Sequence, residues 1–114
     1  MSLFDQASPT PQGFRDVTPA QVHEYLGKVR IVDVREPSEF TGELGHIPGA
    51  ELVPLATVTD QASSWNRSAD LVLVCRSGGR SGRAAAALAA MGFQRVMNMV
   101  GGMLAYKEAG LPRE

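Results

Sequence analysis

Residues 71–83 decide the fold, and they read Leu-Val-Leu-Val-Cys-Arg-Ser-Gly-Gly-Arg-Ser-Gly-Arg. The four apolar residues at 71–74, two of them β-branched, predict a buried strand. Cys75, the only cysteine of the chain, stands where this strand ends. Small residues then predict a loop, and the alanine-rich residues 81–91 predict a helix behind it. A thiol is therefore expected between the end of a strand and the beginning of a helix.

A thiol in this position lies in an electrostatic field that favours its thiolate. The N–H groups of the loop point inward, and the N-terminus of the following helix carries a partial positive charge. Arg76 and Arg80 add two full positive charges. Such surroundings lower a thiol pKa from about 8.5 to roughly 3.5–7.5. We therefore predict that Cys75 is a nucleophile in an anion-binding loop. The plain alternative is an inert buried cysteine.

Length and composition indicate one domain and exclude several classes of protein. The chain has 114 residues, of which 44% are hydrophobic, and a net charge of −1, which does not favour a nucleic-acid surface. Its longest apolar run, residues 84–91, is far shorter than the about 20 residues of a membrane span. The N-terminus lacks the pattern of a signal peptide. A single cysteine fits a reducing compartment, so we expect a cytoplasmic protein without nucleic-acid or membrane partners.

The remaining segments predict alternating strands and helices. Residues 1–13 are expected to form a flexible tail, and residues 14–114 a single domain. Strands are predicted at 14–17 (a short edge strand), 29–34, 50–53, 71–74 and 95–99. Helices are predicted after the Thr18-Pro19 cap and at 37–42, 81–91 and 102–109. This alternation predicts an α/β fold with a parallel sheet of about five strands and helices on both faces.

Four motifs in chain order resemble the rhodanese (sulfurtransferase) family. They are Ile31-Val32-Asp33-Val34-Arg35-Glu36 with Glu39-Phe40, Gly45-His46-Ile47-Pro48-Gly49-Ala50, Cys75-Arg76-Ser77-Gly78-Gly79-Arg80-Ser81, and Gly101-Gly102 with Tyr106-Lys107 and Ala109-Gly110-Leu111-Pro112. Together they extend over residues 29–112. The one departure is Tyr106, which stands where the family often has Trp and which concerns packing rather than chemistry.

This resemblance implies a rhodanese-like three-layer domain that transfers sulfur through Cys75. The thiolate would attack the outer sulfur of thiosulfate or a similar donor, sulfite would leave, and cyanide or a thiol would accept the sulfur from the persulfide. The residues expected to bind substrate are those of the loop, Arg76, Ser77, Gly78, Gly79, Arg80 and Ser81, with Arg80 favoured over Arg76. No cofactor is implied, and the sequence has no metal-ligand spacing.

The single cysteine also constrains the acceptor. No second thiol of the chain can resolve a persulfide on Cys75, so the acceptor is expected to be an external small molecule or a partner protein. The positive charge of two arginines in the loop suits the dianion thiosulfate. The resemblance points to the same donor, since family members that prefer mercaptopyruvate usually have a less charged loop.

Other polar residues are interpreted as structural. Asp33 and Arg35 are expected to pair with each other and to support the active-site loop from behind. His46 is expected to be a hydrogen-bonded turn residue, and His23 a solvated helix residue. The methionines between residues 97 and 103 are expected to lie in the core.

Two other functions stay open. Cysteine phosphatases and arsenate reductases use a similar strand–loop–helix arrangement, but they place five residues between Cys and Arg. Only four residues separate Cys75 from Arg80, and the position of the longer loop's arginine is Ser81. The shorter loop is expected to fit one sulfur atom and to crowd a phosphate. The second alternative is a binding or sulfur-carrier module that serves one partner protein.

Overall fold

A six-stranded, mostly parallel sheet organises the computed structural model, which describes all residues 1–114. Its strands are β1 (Ser8–Pro9), β2 (Arg15–Val17), β3 (Arg30–Asp33), β4 (Glu51–Leu52), β5 (Leu71–Val74) and β6 (Val96–Met99). Its helices are α1 (Leu3–Gln6), α2 (Pro19–Glu24), α3 (Pro37–Phe40), α4 (Leu55–Ala62), α5 (Gly79–Ala90) and α6 (Gly102–Glu108). None of these helices combines the length and the apolar character that crossing a membrane requires.

The strand order places β5 in the interior of the sheet. The order is β1-β2-β6-β5-β3-β4, and every neighbouring pair is parallel except β1 with β2. All four residues of β5 are buried, as a continuous apolar run in a parallel sheet predicts. The carboxyl end of β5, where Cys75 follows, therefore lies between β3 and β6. The predicted α/β fold with a parallel sheet is confirmed.

The sheet separates two apolar cores. Alternate residues of a strand face opposite sides, so Leu71, Leu73 and Cys75 contribute to one core and Val72 and Val74 to the other. The first core includes buried residues of α4 and α5. The second includes buried residues of α1, α2 and α6. Cys75 thus shares its side of the sheet with the helix that follows it.

The local signals of the sequence set most element boundaries. Thr18 caps α2 with a capping box, and Pro19 is its first residue, as predicted. Helix α5 begins at Gly79, two residues before the predicted position, because Gly78 adopts a left-handed φ of 103° and serves as the N-cap. The first turn of α5 therefore contains Arg80 and Ser81.

The N-terminal residues differ from the prediction of a flexible tail over residues 1–13. Leu3 is fully buried, and β1 pairs with β2, which is therefore not an edge strand. The Phe4 ring lies against the guanidinium groups of Arg15 and Arg95, at 4.1 and 4.9 Å. The prediction failed here because it relied on a low apolar content, whereas the burial of Leu3, the contacts of the Phe4 ring and the pairing of β1 with β2 all hold the segment.

Three methionines and Tyr106 lie in the core as expected, whereas His23 differs from its prediction. Met97, Met99 and Met103 are fully buried, as expected. Tyr106 is also buried, and its hydroxyl donates a hydrogen bond to the Pro112 carbonyl at 3.0 Å. His23 is not a freely solvated side chain, because its Nδ1 atom is buried and has no hydrogen-bond partner.

Candidate active site

The Cys75 sulfur lies directly below the beginning of α5. The residue is 1% exposed, and its Sγ accepts a hydrogen bond from the Gly78 N–H at 3.0 Å. The Ser81 hydroxyl lies 3.3 Å from the same sulfur and can donate to it. Because β5 ends in the interior of the sheet and only four residues separate it from α5, the chain must turn back over the sulfur. The loop thereby directs its donors to one atom.

These donors change the acidity of the Cys75 thiol. Burial raises its pKa, because it disfavours the charged form, but the hydrogen bonds act in the opposite direction and prevail. The hydroxyl of Ser81 and the backbone N–H groups of Ser81, Gly78 and Ser77 together place the pKa below its ordinary value. This is the direction that the sequence predicts for a nucleophilic cysteine.

Helix α6 holds the beginning of the loop from the other side. The N–H groups of Met103 and Leu104 donate to the carbonyls of Cys75 and Arg76 at 2.9 and 3.0 Å. Gly102 allows this approach, because a Cβ atom there would lie 2.5 Å from backbone atoms of Cys75 and Arg76. The Gly101-Gly102 motif was noted in the sequence, but its contact with the loop was not anticipated.

Arg80 is not free to meet a substrate in this structure. Its guanidinium donates two hydrogen bonds to the Glu39 carboxylate, at 2.8 and 2.7 Å. These bonds lower the pKa of Glu39 from 4.5 to about 2 and raise the pKa of Arg80. The charge of Arg80 is therefore largely balanced by Glu39, and the expectation that Arg80 binds substrate more directly than Arg76 stays a prediction.

Arg76 lies on the wall of a cavity of about 350 Å³. The cavity is formed between the α3 region and α6, and its lining residues are Arg35, Ser38, Glu39, Gly42, Glu43, Leu44, Arg76, Leu104 and Lys107. Arg35 is paired with Asp33, whereas Lys107 has only a distant carboxylate, Glu43, at 3.9 Å. Arg76 and Lys107 thus supply the least compensated positive charge. Lys107 was not singled out in the sequence.

Asp33 and Arg35 form a buried ion pair behind the loop. Each side chain is 1% exposed, and Arg35 donates to Asp33 through Nε and Nη2. Its guanidinium also donates to the carbonyls of Gly45 and Glu39, at 2.6 and 3.2 Å. The expected pairing of Asp33 with Arg35 is present, and Glu39 connects it to Arg80; that the pair supports the loop stays a prediction.

Two further side chains clarify the composition of the site. The His46 Nδ1–H donates to the Phe40 carbonyl at 3.0 Å, and its ring stacks on the Phe40 ring, so it is a hydrogen-bonded turn residue, as predicted. Asn98 of β6 lies 2.6 Å from the Ser81 hydroxyl and was missed. The available signal was its position as the one polar residue in an apolar strand. No three side chains of the metal-binding types converge as a metal centre requires.

A second, open groove borders the other side of the loop. Its volume is about 550 Å³, and it is lined by Ser77, Gly78 and Asn98 together with Pro9, Thr10, Pro11, Gln12, Phe14, Asp16, Val100 and Gly101. The N-terminal segment therefore forms one wall beside the active-site loop, which its interpretation as a tail did not anticipate.

Comparisons with known proteins agree with this arrangement. The model of the rhodanese-like domain matches residues 18–109, and the chain belongs to that family. A sulfurtransferase of Allochromatium vinosum is 39% identical over 84 residues, which are 74% of this chain and 77% of the relative. The thiosulfate sulfurtransferase GlpE of Pseudoalteromonas translucida is 34% identical over 98 residues, 84% of this chain and 91% of the relative.

Some relatives are longer than this chain, and one similar structure carries a different functional description. The chain spans less than half of two other curated relatives that it matches, 46% of one and 40% of the other. Among solved structures, a protein of unknown function from Rhodopseudomonas palustris, described as a possible tyrosine phosphatase, is 27% identical and superposes with a TM-score of 0.79. That match covers 98% of this chain and 91% of the other.

Proposed function

We propose that this protein is a sulfurtransferase that carries a sulfane sulfur as a persulfide on Cys75. The observation that carries the proposal is the pair of groups around Sγ: the Gly78 N–H, which donates at 3.0 Å, and the Ser81 hydroxyl, which lies at 3.3 Å and can donate once the thiol ionises. They favour a thiolate, and the same donors suit the anionic persulfide that replaces it. The sulfurtransferase relatives support this reaction class, and the thiosulfate sulfurtransferase supports thiosulfate as donor.

The reaction has two half-reactions. The Cys75 thiolate attacks the outer sulfur of thiosulfate, a new S–S bond forms, and the S–S bond of the donor breaks with its electron pair leaving on sulfite. Cyanide then attacks the outer sulfur of the persulfide, thiocyanate leaves, and the Cys75 thiolate is restored. A thiolate acceptor would instead leave as its own persulfide. Because the enzyme alternates between two covalent states, ping-pong kinetics are expected.

Arg76 and Lys107 are the residues that we assign to the anionic end of the donor. Both line the cavity beside the loop. Arg76 has no carboxylate partner and Lys107 has only the exposed Glu43 at 3.9 Å, whereas Arg35 and Arg80 are each paired closely with one. Two cations on one wall raise the local concentration of a dianion and orient it toward the loop. The loop N–H groups that point at Cys75 would stabilise the sulfur that is transferred.

Mass spectrometry of the intact protein tests the central step. After incubation with thiosulfate, the mass of the wild-type protein should increase by one sulfur atom, and cyanide should remove it. The Cys75→Ser variant should not gain this mass. A wild-type protein that remains unmodified over a range of thiosulfate concentrations, while its thiol is accessible to alkylation, would refute the proposal.

The two lysines of the chain provide a matched test of the anion site. Lys107→Ala and Lys28→Ala remove the same charge. Lys28 precedes β3, however, so it lies at the amino ends of the parallel strands, whereas Cys75 lies at their carboxyl ends. We expect Lys107→Ala to raise the KM for thiosulfate several-fold with a smaller change in kcat, and Lys28→Ala to change neither. Equal effects of the two substitutions would exclude a specific anion site at Lys107.

A phosphatase is the second candidate, since the similar Rhodopseudomonas structure is described as a possible one. Against it stand the four-residue spacing between Cys75 and Arg80 and the engagement of Arg80 by Glu39. A phosphate would need that guanidinium. Hydrolysis of p-nitrophenyl phosphate without persulfide formation would reverse the assignment.

A sulfur carrier is the remaining alternative. The single cysteine requires an external acceptor in either case. A carrier would form the persulfide but would transfer it slowly to cyanide and rapidly to its partner protein. Measuring the rate of thiocyanate formation from the isolated persulfide separates an enzyme from a carrier.

A further inference from the structure

Asn98 is a buried amide among apolar neighbours. It is 6% exposed, and the other residues of β6, Val96, Met97 and Met99, are fully buried. A buried amide is costly unless its oxygen and nitrogen both have hydrogen-bond partners. The partners of Asn98 are therefore informative about why this strand contains a polar residue.

The distances around Ser81 connect Asn98 to the reactive sulfur. The Ser81 Oγ lies 2.6 Å from the Asn98 Oδ1, 3.3 Å from the Cys75 Sγ and 3.3 Å from the Gly78 carbonyl oxygen. The Asn98 Nδ2 lies 3.4 Å from the same carbonyl. A serine hydroxyl has only one proton, so it can donate to one of these acceptors at a time. Two oxygen atoms at 2.6 Å require that this proton lie between them.

The direction of this chain of hydrogen bonds must depend on the charge of Cys75. With a neutral thiol, the S–H donates to the Ser81 Oγ, and the Ser81 hydroxyl donates to the Asn98 Oδ1. With a thiolate, the sulfur only accepts, so the Ser81 hydroxyl turns toward it. The short contact with Asn98 then stays favourable only if the amide rotates by about 180° and presents its N–H to the Ser81 Oγ, at the loss of the weak 3.4 Å contact between Nδ2 and the Gly78 carbonyl.

We propose that Asn98 is a positioning residue for Cys75, which acts by reversing the direction of a Cys75–Ser81–Asn98 hydrogen-bond chain when the thiol ionises. An amide suits this task because it offers a donor and an acceptor at nearly the same position. A carboxylate could only accept, and an apolar side chain could do neither. The proposal rests on the proposed function only in treating the Cys75 thiolate as the reacting form.

Alkylation of the single cysteine tests this role without any sulfur donor. The rate of reaction with iodoacetamide against pH gives the thiol pKa in the wild type, Asn98→Asp, Ser81→Ala and the double variant. The carboxylate of Asn98→Asp should retain the Ser81 proton, so the sulfur loses a donor. We expect its thiol pKa to rise by about one to two units, the usual effect of one hydrogen bond to a charged group.

The double variant separates hydrogen bonding from the new negative charge. In the Ser81→Ala background only the through-space charge effect remains, so Asn98→Asp should raise the pKa by about one unit less than in the wild type. Equal increases in both backgrounds would overturn the proposal, because Asn98 would then act by charge alone. Circular dichroism and urea unfolding establish that each variant is folded.

A second measurement keeps the proposal falsifiable if Asn98→Asp does not fold. The chain has two asparagines, Asn66 and Asn98, so selective ¹⁵N labelling gives two pairs of side-chain amide signals, of which that of Asn66 is an internal control. As Cys75 ionises, one Asn98 amide proton should shift downfield in the wild type but not in Ser81→Ala, while Asn66 should not respond. The same response of Asn98 in Ser81→Ala would overturn the proposal. Persulfide formation is measured separately, so a failure of sulfur transfer leaves this test intact.

Discussion

Gly102 lies so close to the active-site loop that a methyl group there should disturb both the fold and Cys75. An Ala Cβ at this position would lie 2.5 Å from the Cys75 oxygen and from the carbonyl carbon and oxygen of Arg76. All three are backbone atoms, so no side-chain rotation can relieve the contact. Either α6 or the loop must move.

The expected loss of stability has two parts. Gly102 has a φ of 58°, and alanine in the left-handed region costs roughly 1–2 kcal/mol. Displacing the loop also weakens the hydrogen bonds from Met103 and Leu104 to the Cys75 and Arg76 carbonyls. With the steric overlap, we expect Gly102→Ala to destabilise the fold by about 3–5 kcal/mol.

Gly110→Ala is the matched control for backbone strain. Gly110 has a φ of 73°, but a Cβ atom there would meet nothing within 4 Å. Its substitution should therefore cost only the conformational part, about 1–2 kcal/mol. Urea unfolding measures both losses, and the rate of Cys75 alkylation at neutral pH measures the loop. We expect slower alkylation in Gly102→Ala and an unchanged rate in Gly110→Ala.

Equal losses of stability in the two variants would refute this reasoning, because the contact with the loop would then contribute nothing. A larger loss in Gly102→Ala with an unchanged alkylation rate would show that α6 moves and that the loop does not depend on it.

Three further substitutions test other parts of the structure. Glu39→Gln should lower stability at pH 7 by about 1–2 kcal/mol after allowance for partial exposure. In the folded protein the pKa of Glu39 is lowered from 4.5 to about 2, so the stability that its carboxylate contributes is complete above pH 4.5 and disappears as the pH falls toward 2. Urea unfolding should therefore show a difference between wild type and Glu39→Gln at pH 7 that vanishes near pH 2. An equal difference at both pH values would contradict this. Asp33→Asn leaves the buried guanidinium of Arg35 without its carboxylate and should lower the free energy of unfolding by about 3–5 kcal/mol in the same assay. A loss below about 1 kcal/mol would show that the ion pair contributes little to stability. Ala85→Leu overpacks a fully buried position of α5 and should cost about 1–3 kcal/mol and also slow Cys75 alkylation, so unchanged thiol reactivity in a clearly destabilised variant would exclude the link between helix packing and the loop.

Local patterns were sufficient for the central part of the fold. The apolar run at Leu71–Val74 is β5 at the predicted residues, and the Thr18-Pro19 pair begins α2 as expected. These predictions succeed because a buried strand and a helix cap are specified by neighbouring residues. The N-terminal segment was predicted poorly because its order depends on where Leu3 is buried, and that is not a local property.

The distribution of charge around the loop could not be predicted in the same way. The sequence favoured Arg80 over Arg76 as a substrate ligand but gave no sign that Arg80 pairs with Glu39, which is 41 residues away in the chain. Lys107 and Asn98 reach the site from α6 and β6. Which of these residues meet depends on the strand order, and no short stretch of sequence contains that information.

Local sequence is enough to place one thiol between a buried strand and a helix, because apolar runs, small residues and alanines act over a few neighbouring positions. The donors that reach the sulfur and the carboxylates that pair with each cation follow from the three-dimensional fold. Parallel strands bring distant segments together at their carboxyl ends, where hydrogen bonds and ion pairs form at distances of about 3 Å.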